Sequence, residues 1–317
     1  MILPFAQPIH VLGGGSIGLL FATSIRIAFP SYPLQMMMRS HHESRLEIQG
    51  RKKFMQVCLT QQGRPRVAQL PATIIGSSSF RPRIRNLLLA TKAIDCASSV
   101  DSIRHYLEKK ARIIILCNGA LAVREEVDNI LSGQHPITLL STTHGACREP
   151  SEDEIYHVTH AGVGKTFVQD DPALALLLTH AGLMAESTHD IEDMLWLKLA
   201  ANCTINPLTA LLKCTNGQLT QQPLFQRMAP EILEEVSMVS PDSERLSPPL
   251  LREFVDQVIV DTERNQSSML QDVLRHRPTE IEYLNGYVVR KGAELGVETP
   301  ANLEIYHRVT QISALPG

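Results

Sequence analysis

The chain has 317 residues, 44% of them hydrophobic and 20% charged, enough for two domains with sizeable cores. A formal net charge of -3 without a long basic run argues against a nucleic-acid or anionic-membrane surface. The six cysteines form no C-x-x-C pair and no apolar run reaches the ~18 residues of a membrane span, so a cytoplasmic protein with reduced thiols is expected.

The first strand starts by about Ile9, which leaves little room for a cleavable presequence. Residues 9–18 read IHVLGGGSIG, an apolar strand running into Gly13, Gly14, Gly15, Ser16, Ile17 and Gly18, with a helical pattern from Leu19 to Ala28. This is G-x-G-x-x-G in a strand–turn–helix setting. Gly13 permits the tight turn, Gly15 lets a pyrophosphate approach the backbone, and Gly18 lets helix and strand pack closely. The phosphates then sit on a helix N-terminus, where N–H groups and the dipole favour anions. Gly13, Gly15, Ser16, Ile17 and Gly18 are therefore the candidate cofactor loop; a glycine-rich turn without a ligand is the alternative. The second strand, Pro33 to Met38, ends in Arg39, Ser40, His41 and His42, with no carboxylate before Glu43. NAD calls for an acidic residue at that point, whereas a cation and a hydroxyl suit the 2′-phosphate of NADP. NADPH/NADP+ is the expected cofactor, with a solvated loop arginine as the competing reading of Arg39.

Strands follow at Phe54 to Thr60 and Asn86 to Ala90. Ligands sit at the carboxyl ends of strands in a doubly wound sheet. Lys92, just past the second of these, is placed either to meet the cofactor or as a surface lysine. Ile94 to Glu108 reads as helix and Arg112 to Cys117 as strand. Asn118 and Gly119 then either reach a ligand or form a turn. Pro136 to Ser141 is a further strand, ending in STTHGACR. His144 and Cys147 there have no second pair beside them, so no metal site is expected. Ile155 to Gln169 reads as a hairpin around AGVGK, which fails the phosphate-loop pattern because position 159 is Thr159. Asp171 and Pro172 cap and open a helix through Thr179.

From about residue 188 the pattern changes from βα alternation to helix alone, separating a domain of residues 1–187 from one of residues 188–317. Helices are expected at Ile191–Asn206, Leu224–Val239, Pro249–Glu263, Ser268–Arg275 and Thr279–Leu295. In WLKLAANCTINPLTALL, Lys198, Asn202 and Asn206 recur every four residues and project from one side, at about 100° per residue. One ammonium and two carboxamides on a shared stripe can hold a small polar molecule; a half-exposed helix facing water has the same spacing. Pro207 removes a donor and crowds the preceding turn, so the helix is expected to kink or end there. In NQSSMLQDVLRHRPTEIEYLNGYVV, Ser268 with Gln271 and Thr279 with Glu282 match capping boxes. Glu280 falls in the first turn of its helix, where the dipole favours a carboxylate in any case. Gly296 suits the cap after Leu295, with Pro300 beyond it.

The stretches TKA at Thr91–Ala93, CNG at Cys117–Gly119, STTHGACR, WLKLAANCTINPLTAL and SSMLQDVLRHRPTEIEYLNG resemble the ketopantoate reductase (2-dehydropantoate 2-reductase) family. The resemblance runs from VLGGGSIG to PANLEIY, nearly the whole chain. It implies an α/β fold, with an N-terminal Rossmann-type dinucleotide-binding domain followed by an all-α C-terminal domain and the substrate between them. It implies NADPH-dependent reduction of 2-dehydropantoate to pantoate, a step in pantothenate biosynthesis and so in the coenzyme A pathway. Carried over by motif position, Lys198 is the general acid and Asn202 and Asn206 lie along the substrate. Asn216, in CTNGQL, is a further substrate candidate. Ser268 binds the substrate carboxylate, and Glu280 engages its hydroxyl end and helps to position Lys198. Lys92 and Asn118 lie at the nicotinamide end, and Arg39 meets the 2′-phosphate.

The chemistry agrees with this assignment. Hydride addition to a ketone builds negative charge on the carbonyl oxygen, which a lysine ammonium stabilises and can protonate. A 2-oxo acid also needs donors for its carboxylate, and serine and asparagine supply them. The nicotinamide carries the hard step, and no metal is required. The expected partner is a small-molecule 2-oxo acid, with neither nucleic acid nor membrane; the helical domain could pair as a homodimer or stay single. Two other functions fit part of the pattern. One is a related reductase of another 2-oxo or hydroxy acid, separable by a substrate panel. The other is a non-catalytic NADPH-binding sensor, which would bind tightly without turnover.

Overall fold

The computed structural model describes residues 7–49, 52–77, 82–149 and 154–313. The chain divides into two compact units, Met1–Ile191 and Glu192–Gly317. No helix among the described residues is long and apolar enough to cross a membrane.

The first unit runs β1 (Ile9–Leu12), α1 (Ser16–Ala28), β2 (Leu34–Met38), β3 (Glu47–Gln49), β4 (Lys52–Gln61), β5 (Arg64–Ile74), β6 (Ile84–Leu89) and α2 (Ala93–Ile103). It continues with β7 (Leu107–Ile115), α3 (Ala120–Ile130), β8 (Ile137–Thr142), β9 (Gly145–Arg148), β10 (Tyr156–Gly162), β11 (Thr166–Gln169), α4 (Pro172–His180) and β12 (Ala185–Thr188). Among the described residues these strands form one sheet, ordered β12-β11-β8-β7-β6-β1-β2-β5-β4-β10-β9, with β3 paired to β4. The centre, from β8 through β7, β6, β1 and β2 to β5, is parallel throughout. Parallel strands are covered on both faces and so read as continuous apolar runs. IHVL in β1 is buried at all four positions, as are the last four residues of β6. Leu19, Leu20, Phe21, Ala22 and Ile25 of α1 are buried in the same core.

β5 was not anticipated by the sequence. Its Pro65 and Pro71 cannot donate to a ladder, and its first four residues are exposed, which hides the alternation of a half-buried strand. It nevertheless pairs antiparallel with β4 over the whole length Lys53–Gln61. Residues 155–169 are not a hairpin. β10 pairs with β4 and β9, whereas β11 pairs with β8 and β12. The polar atoms of the intervening turn go to the end of β8 instead: Lys165 N donates to Thr143 Oγ1 at 2.9 Å, and Gly164 N donates to His144 Nδ1 at 3.0 Å. His144 is buried, with Nε2 donating to Leu183 O at 2.8 Å and Nδ1 2.9 Å from His160 Nε2. The helix expected to reach Glu108 stops at Ile103, and Glu108 lies in β7, where it pairs with Arg85 across from β6.

The second unit consists of α5 (Ile191–Leu212, starting at the boundary), α6 (Pro223–Val239), α7 (Pro248–Asp261), α8 (Ser268–Leu274), α9 (Asn285–Leu295) and α10 (Pro300–Ser313). The N-terminal domain is thus α/β and the C-terminal one all helix. The last helix escaped the sequence reading because Pro300 looks like a stop, whereas it is the first residue of α10. The stripe of α10 is Ala301, Ile305 and Val309, and Asn302, fully buried beside it, breaks the apolar pattern.

Pro207 does not end α5, which continues to Leu212. A proline at this position leaves the carbonyl of residue 203 without its usual donor. Asn285 supplies one, its Nδ2 donating to Cys203 O at 3.0 Å. The same fully buried amide donates to Asn302 Oδ1 at 2.9 Å, and Asn302 Nδ2 donates to Glu235 Oε2 at 2.7 Å. Glu235 also accepts from Ala301 N and Asn302 N, at 2.7 and 2.8 Å, so a carboxylate from α6 caps α10, where the helix dipole favours it. The single helix expected from Thr279 to Leu295 is therefore two pieces, a 3-10 turn at Ile281–Tyr283 and α9 from Asn285. The cap of α8 is Ser267, not Ser268. Ser267 Oγ accepts from Leu270 N at 3.1 Å and lies 2.6 Å from Thr209 Oγ1.

Asn285→Ala should cost about 2 kcal/mol in chemical denaturation, because a buried carbonyl loses its donor. In a Pro207→Ala background residue 207 offers its own N–H to Cys203 O. The loss should then shrink by roughly 1 kcal/mol in a double-mutant cycle. Strictly additive effects would contradict the arrangement.

Candidate functional site

In the first unit the strand register decides which loops meet. Leu12 lies opposite Leu89 on one side and Met37 on the other, and Leu89 lies opposite Ile115. Ala90 N donates to Leu12 O and Leu116 N to Leu89 O, each at 2.9 Å, which extends the alignment past the strand ends. Gly13, Arg39, Lys92 and Asn118 thus all follow the carboxyl ends of four adjacent strands. β2 lies on one side of β1 and β6 on the other, so the glycine loop occupies the topological switch point where ligands bind in such sheets.

Three helices begin along this edge. α1 has Gly15 as its N-cap, no capping side chain and no acidic residue in its first turn. The first N–H groups of a helix lack intrahelical acceptors. Those of Ser16, Ile17 and Gly18 are aimed where an anion would sit. The glycines differ in what the protein itself demands. A Cβ at Gly13, whose φ is +127°, would lie 2.5 Å from Ala90 O, and one at Gly18 would lie 2.3 Å from Gly13 O. A Cβ at Gly15 would meet no heavy atom nearer than Ala90 O at 3.9 Å. Packing requires the first two, and it leaves room at Gly15 for a phosphate. The site fits a dinucleotide on that ground.

Gly119, with φ of +64°, is the N-cap of α3 and turns the chain directly after half-buried Asn118. Lys92 is exposed at the N-cap of α2. Arg39 is exposed, and its Nη2 pairs with Asp95 Oδ1 at 2.9 Å and lies 3.3 Å from Ser99 Oγ. The sequence reading missed Arg148. It ends β9 and donates Nη1 to Gly14 O at 3.0 Å, 134 positions away along the chain. It is the last residue of STTHGACR, four positions after His144 and next to Cys147. No group of three His, Cys, Asp or Glu that could hold a metal occurs among the described residues.

In the second unit, every residue of α5 from Leu199 to Ala210 is buried except Asn202 and Asn206. Lys198 is half-buried in line with them. The polar stripe is therefore the open side of an otherwise enclosed helix. Two ties bring other candidates toward it. Thr209 and Ser267 share a hydrogen bond, and Ser267 Oγ also donates to Asn206 O at 3.5 Å, which seats the start of α8 at the last turn of the stripe. Exposed Ser268 is one residue on. Asn285 on Cys203 O, with the Trp196 and Tyr287 rings 6.1 Å apart, lays the segment after half-buried Glu280 along the other end. Asn216 is more enclosed: it is buried, and its Nδ2 donates to Thr262 Oγ1 at 2.9 Å. The thiol of Cys203 is pushed well up by burial and is chemically quiet beside the stripe.

A sequence model of the family described as "Ketopantoate reductase PanE/ApbA" matches residues 9–172, and one described as "Ketopantoate reductase PanE/ApbA C terminal" matches residues 190–313. The chain belongs to the ketopantoate reductase family. The 2-dehydropantoate 2-reductase of Vibrio cholerae serotype O1 is 37% identical over 232 residues, 70% of this chain and 76% of that protein. Among solved structures, a PanE/ApbA family ketopantoate reductase from Ralstonia eutropha JMP134 superposes with a TM-score of 0.80 at 22% identity, covering 97% of this chain and 98% of that one. A D-mandelate dehydrogenase, solved with NADH and anilino(oxo)acetate, has the same TM-score, identity and coverage. At this identity the two structures share the fold with this chain.

The steric contrast within the loop gives an experimental handle. Gly15→Ala should fold with a melting temperature close to the parent and lose dinucleotide affinity by about tenfold or more, read by titration of the purified variant. Gly13→Ala and Gly18→Ala should unfold at clearly lower temperature. Equal destabilisation by all three would remove the special status of Gly15.

Proposed function

We propose that this chain catalyses the NADPH-dependent reduction of 2-dehydropantoate (ketopantoate) to pantoate, with Lys198 as proton donor. Family membership over both units supports the activity. The observation that carries the site is the Lys198–Asn202–Asn206 stripe: Asn202 and Asn206 are the open positions between Leu199 and Ala210, and half-buried Lys198 lies in line with them.

When bound, NADPH would supply the hydride for the ketone carbon. Gly13, Gly15, Ser16, Ile17 and Gly18 would hold its pyrophosphate through backbone N–H groups and the α1 dipole. Lys92 and Asn118 would meet the nicotinamide end, and Arg39 the 2′-phosphate. The Lys198 ammonium lies against the ketone oxygen, stabilises the charge that grows there and donates the proton that completes the alcohol. Asn202 and Asn206 bond along the substrate, and the Ser268 hydroxyl donates to its carboxylate. Glu280 accepts from the substrate's hydroxyl and orients the Lys198 side chain. Asn216 adds a further substrate contact, with its amide fixed by Thr262.

The reading places the protein in the cytosol, supported by cysteines that are all free thiols among the described residues. It includes pairing as a homodimer, supported by Leu250 and Val260 of α7, which are 44% and 66% exposed. Sedimentation at twice the 35.2 kDa chain mass checks that point.

Purified protein should oxidise NADPH when given ketopantoate, faster than with other branched 2-oxo acids in a panel. Lys198→Ala should lower kcat by about 100- to 10,000-fold while the Kd for NADPH stays within about twofold. A folded protein that binds NADPH and turns over none of these acids would defeat the proposal. An unchanged kcat in the variant would remove Lys198 from the chemistry.

A further inference from the structure

Arg39 was the one cation that the sequence placed at the end of β2, but the structure gathers several around that point. Arg148 is bonded to the carbonyl of Gly14, inside the glycine loop. Arg45, after β2, stands with its guanidinium carbon 4.4 Å from the centre of the Tyr156 ring. The Tyr156 hydroxyl lies 2.8 Å from His42 Nδ1, and the His41 and His42 rings are 4.1 Å apart. Burial first, then the positive charges of His41, Arg148, Arg45 and Arg39, push His42 down to about 4. The fixed points of this group are Arg148 on the glycine loop and Arg45 on the Tyr156 ring, whose hydroxyl meets His42 in the segment that follows Arg39.

Two of the carboxylates near this point are already engaged. Asp95 holds Arg39 and Glu43 holds Lys53. Arg148 spends one of its donors on a neutral carbonyl, a contact that fixes the guanidinium beside the loop without compensating its charge. A phosphate monoester carries close to two negative charges at neutral pH. A single exposed arginine already paired with a carboxylate is a poor match for that charge, whereas several converging forks suit it.

We propose that Arg148 is a ligand of the 2′-phosphate of NADPH, acting with Arg39 and Arg45, and that it is a principal determinant of preference for NADPH over NADH. The assignment rests on the NADPH reading above. NADH has the same pyrophosphate and lacks the 2′-phosphate, so comparison of the two cofactors separates this role from general anchoring of the dinucleotide. Because Arg148 is exposed at a strand end, its replacement should leave the fold intact.

The test is direct titration of the full chain with NADPH and with NADH, without substrate, in the parent, Arg148→Ala and Arg148→Lys. The expected result is a Kd for NADPH raised about 10- to 100-fold in Arg148→Ala and less in Arg148→Lys, with the Kd for NADH within about twofold of the parent. The NADPH affinity of the parent should also fall more steeply with salt than that of Arg148→Ala. Equal weakening of both cofactors would move Arg148 to the pyrophosphate and overturn the proposal. So would an unchanged NADPH affinity. A parent protein that does not prefer NADPH would overturn the cofactor reading itself, an outcome visible before any variant is made.

Discussion

The hydrogen bond from Asn285 to the carbonyl of Cys203 sets the architecture of the helical unit. A proline inside a helix costs about 3 kcal/mol, part of it through the carbonyl it strands. Left bare in a buried helix, that carbonyl would cost roughly 1–3 kcal/mol more. The donor comes from α9, and the same amide reaches Asn302 of α10, which reaches Glu235 of α6. One local defect thereby becomes a tie among four helices. It also makes α5 long enough to matter. Thr209, which holds Ser267, lies beyond Pro207, so α8 is seated at the end of the Lys198–Asn202–Asn206 stripe because the helix does not stop at Asn206.

The first unit depends on a comparable constraint, expressed in register. Pairing of β1 with both β2 and β6 leaves the glycine loop against Ala90 and Thr91, so close that Gly13 has no space for a side chain. Gly18 is pressed against the carbonyl of Gly13 in turn. These contacts hold the start of α1 in a fixed place, and Gly15 is the gap they leave. A rigid turn with unfilled donors and one deliberate opening is what an anion-binding loop requires.

The sequence was most informative where the signal is local. The glycine spacing, the buried run of β6 and the four-residue recurrence on α5 depend on residues within a turn or two of one another. They were legible because backbone periodicity alone places them. What stayed hidden depends on partners far apart in the chain. Asn285 satisfies a carbonyl 82 positions away, and no pattern around Pro207 announces it. β5 carries two prolines and an exposed half, and its strand identity comes from β4. β10 and β11 look like a hairpin because they are close in sequence, yet each finds its neighbours elsewhere. Arg148 reaches the glycine loop from β9, which is held in place by its pairing with β10. Ser267 and Ser268 are equivalent to a capping pattern, and Thr209 decides between them.

Hydride passed directly to the ketone carbon, with the proton delivered separately to oxygen, leaves an isotopic mark. Ketopantoate is turned over in ordinary water with NADPH deuterated at the transferable position, and the product is analysed by mass. Direct transfer gives pantoate carrying one deuterium at the former ketone carbon. Absence of pantoate, or pantoate without the label, would contradict it.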